Sequence, residues 1–156
     1  MSLLSRSASL VAVLSSLTLS SACPMQGQTN ADGGGTSGAD VYTAGMEKPG
    51  EQGRFRVQLV EAQPGPPDRG DNVWTLAVND EAGMPVSDAV VELHPYMPQH
   101  GHGTTPPDYT AAAQGDGTYV AGPFDLFMPG LWEVTVDITG SDGTEDRAVF
   151  AFDIEG

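Results

Sequence analysis

From Arg54 onward, apolar and polar residues alternate with a period of two, the pattern of strands that keep one face dry and one face wet. Phe55, Val57 and Leu59 alternate with Arg54, Arg56 and Gln58. Trp74, Leu76 and Val78 alternate with Thr75 and Ala77, and Ala89, Val91 and Leu93 with Val90, Glu92 and His94. The cleanest run is Trp132, Val134, Val136 and Ile138 against Glu133, Thr135, Asp137 and Thr139. Phe150, Phe152 and Ile154 close the series against Ala151, Asp153 and Glu155. Shorter runs predict strands over residues 109–113 and 118–121, the second extending through residues 124–127. Turn chemistry separates the runs. Glu81-Ala82-Gly83-Met84-Pro85, Pro129-Gly130 and Ser141-Asp142-Gly143 are breaks, and Gln114-Gly115-Asp116-Gly117 reads as a hairpin turn because Asp-Gly tolerates positive φ. No stretch combines helical periodicity with helical length. About seven short strands in about a hundred residues predict an all-β, antiparallel sandwich of immunoglobulin-like type. Its inward set would be Trp74, Leu76, Val91, Leu93, Tyr119, Trp132, Val134, Val136, Phe150 and Phe152.

The first 53 residues carry no such alternation. Residues 1–22 read as a signal peptide: Arg6 in the n-region, an apolar stretch over residues 10–19, then small Ser20, Ser21 and Ala22. The apolar run is too short and too rich in serine for a membrane-spanning helix. Residues 23–53 read as a flexible tether, since eight of the 27 residues from Gly27 to Gly53 are glycine. Such a segment buries too little apolar surface to offset its ordering entropy, and about thirty residues of it would span roughly 30 Å. The sandwich is then expected over residues 54–156.

Composition narrows the partners. The 156-residue chain carries 21 acidic and 6 basic residues, a formal charge of −15. Nucleic acid, which needs clustered Lys and Arg, is excluded as a partner, and an anionic membrane surface would repel the domain. The only cysteine is Cys23, so no intramolecular disulfide can form. Leu19-Ser20-Ser21-Ala22-Cys23 resembles the lipobox of bacterial lipoproteins, in which the cysteine receives the lipid. The usual pattern has Leu three residues before the cysteine. Here Ser20 holds that place, so an ordinary secreted protein with an incidental Cys23 stays open beside the lipid-anchored one. Pro24 after the cysteine points, by resemblance to Gram-negative sorting patterns, to the outer membrane over the inner. On this reading the domain meets a membrane only through its N-terminal lipid.

The candidate chemistry lies in His94-Pro95-Tyr96-Met97-Pro98-Gln99-His100-Gly101-His102-Gly103, ten residues that hold all three histidines of the chain. Imidazole and thioether are ligands for soft and borderline transition metals. His100 and His102 stand two apart, which on an extended backbone aims both to one side, and the glycines around His102 let the chain bend. Met97 and, from the Pro129-Gly130 turn, Met128 could add sulfur. His94 ends its strand on the outward face. Two His with one or two Met suit copper, whereas zinc would ask for Cys or carboxylate. The alternative is a metal-free loop that caps the open end of the sandwich, with Met97 and Met128 plugging the core. Met46 and Met84 read as gap-fillers.

No enzyme is legible. Ser87 and Asp88 near His94 lack a nucleophile elbow and an oxyanion hole. The acidic run from Asp137 to Asp146 lacks EF-hand spacing and reads as a solvated hairpin. Four segments in order resemble the YtkA-like and FixH-like envelope domains: Asp80-Glu81-Ala82-Gly83-Met84-Pro85-Val86-Ser87-Asp88-Ala89-Val90-Val91, then Met97-Pro98 with His100-Gly101-His102-Gly103, then Asp116-Gly117-Thr118-Tyr119, then Phe127-Met128-Pro129-Gly130-Leu131-Trp132-Glu133-Val134. That resemblance spans roughly Trp74 to Ile138. It implies a β-sandwich in the bacterial envelope and a link to copper or to respiratory oxidase assembly, with an envelope metalloprotein or oxidase-assembly protein as partner.

Overall fold

A computed structural model describes residues 38–156. The expected export segment, Cys23 and the first part of the expected tether lie outside the described residues. No described residue is helical. Ten strands form: β1 Met46–Pro49, β2 Phe55–Gln63, β3 Gly70–Asp80, β4 Val90–Met97, β5 His102–Gly103, β6 Tyr109–Thr110, β7 Ala112–Ala113, β8 Thr118–Leu126, β9 Gly130–Thr139 and β10 Glu145–Ile154. They make two antiparallel five-stranded sheets. The first runs β1-β2-β3-β8-β7; the second runs β10-β9-β4-β5, with β6 also paired to β4.

The alternation in the sequence sets which face each strand buries. From Leu131 on, β9 alternates strictly between half-buried and buried positions, with Trp132, Val134, Val136 and Ile138 inside. Every residue of the expected inward set is buried, in one hydrophobic cluster shared by both sheets. Trp74 is at the centre. It meets Phe124, Phe150 and Phe152 edge-on, with ring centroids 5.3, 5.9 and 5.7 Å away. Its indole N–H has no hydrogen-bond partner among the described residues, so edge-to-face aromatic packing accommodates it.

Tyr119 is buried, yet its hydroxyl is used twice. It donates to the Val86 carbonyl at 2.8 Å and accepts the Ala89 amide at 3.1 Å, which pins the connection into β4. Burial, the largest influence, raises the phenol above its ordinary pKa. Tyr119→Phe should keep the ring packing and orphan both backbone groups. The expected cost is about 1–2 kcal/mol in chemical denaturation.

Two expectations about boundaries need correction. Residues 109–113 do not form one strand: the chain changes sheets at buried Ala111, whose amide bonds the Val91 carbonyl at 2.8 Å, leaving β6 in one sheet and β7 in the other. The ordered sheet also starts before Arg54. β1 pairs with β2 from Met46 to Pro49, and Tyr42 packs edge-on to Phe152 while its hydroxyl accepts the Ala62 amide. The physical reason is that partners far along the chain hold this segment. The Asp40 amide bonds the Ala151 carbonyl at 2.6 Å, the Asp40 carboxylate accepts the Ala151 amide at 2.8 Å, and Lys48 pairs with the same carboxylate. Asp40 thus occupies the outer edge of β10, and the Glu51 amide takes another position on that edge, the Arg147 carbonyl, at 2.8 Å.

Asp146 anchors the turn between β1 and β2. Its carboxylate is buried and accepts the amides of Gln52, Arg54, Phe55 and Arg147 at 2.8–3.1 Å. Burial is the largest single influence and pushes its pKa up, but the four amides together outweigh it and hold the carboxyl below the usual range. Gly50 lies against this carboxylate, and a Cβ there would overlap it. The acidic run expected as a wholly solvated hairpin is therefore solvated at Asp142 and Glu145 and buried at Asp146.

Candidate metal centre

β4 delivers the histidine segment to one end of the sandwich. Inward positions on this strand are Val91, Leu93, Pro95 and Met97; outward positions include His94 and Tyr96. A four-residue turn follows, closed by the His100 and Gly101 amides on the Met97 carbonyl at 3.1 and 2.9 Å. Gly101 adopts φ +71°, a left-handed conformation that glycine enters without a Cβ penalty. The chain then returns as β5, with His102 opposite Met97 and Gly103 opposite Tyr96. Gly103 is required at close quarters, since a Cβ there would overlap the Pro95 carbonyl oxygen.

This hairpin brings His100 and His102 together. Their ring centroids lie 5.8 Å apart and their planes are tilted by 41°. Imidazoles that share one ion, each with a metal–nitrogen bond of about 2.0 Å, have centroids no more than roughly 6 Å apart, and this pair lies inside that limit. The pair is reached by a turn rather than by the extended backbone expected. His102 also stacks on Phe127, with centroids 5.5 Å apart and planes within 18°, and Phe127 meets Trp132 edge-on at 5.5 Å. The Trp132 indole N–H donates to the Met128 carbonyl at 2.9 Å, which fixes the loop that carries Phe127. Phe127 was not among the expected site residues. Its signal was its break from the inward phase set by Phe124 and Leu126.

The other expected ligands are placed differently. Met97 shares a face with His102, because directly opposed residues of an antiparallel pair project to one side. It is fully buried, however, and packs so closely that a Cβ at Gly130 would come within 3.0 Å of its terminal methyl. Met128 is half-buried against the same core. Both methionines thus sit where the core-plug alternative put them, although Met97 lies next to the pair.

His94 is outside the group. It projects from the opposite face of the sheet, where Nδ1 is 2.6 Å from Asp108 and Nε2 is 3.1 Å from Asp137. Asp137 is held in turn by Arg147 at 2.6 and 2.9 Å, and that hydrogen bond raises the Arg147 pKa. His94 thus faces Asp108 and Asp137, away from His100 and His102.

Among the described residues, no cluster of three or more His, Cys, Asp or Glu side chains could hold an ion. A hard cation or a tetrahedral zinc has no full ligand shell here.

Neither the curated proteins nor the solved structures contain a match to the chain. The profile of one family, YtkA-like, matches residues 50–137, from the Asp146-bound turn through most of β9. The match covers more than half of the sequence and includes the histidine hairpin, and on it the chain belongs to the YtkA-like family.

Proposed function

We propose that this domain is a non-enzymatic module of the bacterial envelope that binds one copper ion between His100 and His102, for storage, sensing or transfer. The observation that carries the reading is the 5.8 Å separation of the two imidazole rings at the end of a rigid sandwich. Copper in its cuprous form accepts two nitrogen donors, and thioether sulfur is its natural further ligand. Met97, opposed to His102, and half-buried Met128, next to the Phe127 that stacks on His102, would be the soft donors for such an ion. Phe127, stacked on His102, would hold that ring and shield one side of the ion from water. The expected N-terminal export segment, with Cys23 as lipid anchor, would keep the domain at the outer membrane on a tether. A recipient would be an envelope metalloprotein or an oxidase-assembly partner.

Titration of the domain with cuprous ion against a competing chelator tests this. The wild type should take up one equivalent, and His100→Ala and His102→Ala should each weaken binding by more than about tenfold, or 1.4 kcal/mol. Equal, weak uptake by all three proteins would remove the hairpin from consideration.

A metal-free interaction module is the second reading. It is favoured by the exposure of Tyr96 and Phe127, 44% and 40%, near the hairpin. The same titration separates the two.

A further inference from the structure

The opposite end of the sandwich holds a groove of about 440 Å³ between the β3–β4 connection and the β9–β10 turn. Its apolar surface comes from Phe55, Ala82 and Val86, and its acidic border from Asp80, Glu81, Asp88 and Asp142. Arg54 is the only basic residue that lines it. Its Nε bonds the Gln52 side chain at 3.2 Å. The Thr144 amide does most to lower the Asp142 carboxyl, and the Arg54 charge, acting at a distance, helps. Among the described residues none of the four carboxylates is in a close ion pair, so one positive charge faces four negative ones. Asp80 and Asp142 each spend Oδ1 on amides of their own turns, those of Ala82 and Met84 and that of Thr144. The Thr144 side chain also bonds the Asp142 carboxylate, while Asp80 Oδ2 and the carboxylates of Glu81 and Asp88 are left without a hydrogen-bonding partner among the described residues.

We propose that this groove docks a basic segment of a protein partner, with lysine or arginine side chains laid across it. Such side chains match the groove in both chemistries: the methylene stem covers Phe55, Ala82 and Val86, while the charged head reaches the carboxylate border. Charge complementarity selects this occupant over a second copy of the chain, whose formal charge of −15 would repel it. The open mouth selects a peptide over a small amine. Small-molecule sites bury about 70–90% of their ligand, and an open groove cannot, whereas a peptide covers the groove with its own backbone. The Tyr119 hydroxyl, through Val86 and Ala89, keeps one wall in place before any partner arrives.

The test uses an acetylated and amidated Lys-Leu-Lys-Leu-Lys peptide at about physiological ionic strength, where diffuse attraction is screened beyond roughly 8 Å. Amide signals of Ala82, Val86, Gly140 and Ser141 should shift on titration. The double variant Glu81→Gln/Asp88→Asn should weaken binding about five- to tenfold. The double variant Asp71→Asn/Asp125→Asn removes the same charge from exposed positions on paired strands β3 and β8, and should change it less than twofold. Equal losses in the two double variants would reduce the binding to diffuse electrostatics and overturn the proposal. Shifts confined to other amides would do the same, as would spermidine binding as tightly as the peptide.

Discussion

Asp146→Ala is expected to cost about 3 kcal/mol in chemical denaturation, the largest effect of any single polar substitution in the domain. Hydrogen bonds to a charged acceptor contribute about 1.5–3 kcal/mol each in isolation, but four on one carboxylate are not additive. Part of the loss is recovered when water reaches the freed amides of the exposed turn residues Gln52 and Arg54. Asp146→Asn should cost about 2 kcal/mol, because an amide keeps the shape but turns a donor toward amides that need an acceptor. The acid limb of stability gives a second readout. The folded carboxyl titrates below its unfolded value of about 3.9. Its contribution is therefore fully present above that value and is lost as pH falls through the lower, folded one. The stability gap between wild type and Asp146→Asn should be widest above about pH 5 and narrow progressively below about pH 4. A gap that stays constant through that range would show that the four amides do not hold the carboxylate as a charge.

Met97→Ala should cost about 3 kcal/mol, since truncating a fully buried methionine removes its transfer energy and leaves a cavity. Met97→Leu, close in volume, should cost less than about 1.5 kcal/mol. The pair separates the two roles of this residue. If Met97 only packs, Met97→Leu binds cuprous ion as the wild type does. If its sulfur is a ligand, Met97→Leu loses affinity at nearly unchanged stability. Thermal denaturation and chelator competition on the same two variants give both answers.

What the sequence carries is local. Strands with one dry face write their phase into alternate residues, which is why the inward set from Trp74 to Phe152 could be read directly. Met97 obeys the same rule: it continues the inward phase of Val91 and Leu93, so its burial was legible in the very pattern that placed His94 outside. The clustering of histidines was legible too, but the turn that joins His100 to His102 depends on positive φ at Gly101 and on the ladder between β4 and β5. Contacts across long separations leave little local trace. β1 alternates only weakly, with Met46 and Lys48 half-buried and Glu47 and Pro49 exposed, and the residues on either side of it, Asp40 and Gln52, are held by Ala151 and Asp146 about a hundred residues away. The burial of Asp146 had one hint. Counting back by twos from Phe152 through Phe150 and Ala148 lands on it.

The Asp40 clasp on β10 bears on how the domain avoids its own kind. β10 is ten residues long and pairs with β9 on one side only. An open strand of that length is a template for self-association. A shortened protein beginning at Arg54 would lose Asp40, Tyr42, β1 and the Glu51 amide together, uncovering that margin and inviting stacked, insoluble assemblies. The segment from Asp40 to Glu51 therefore acts as a hem to the sandwich: these dozen residues keep a sticky border from fraying into its neighbours.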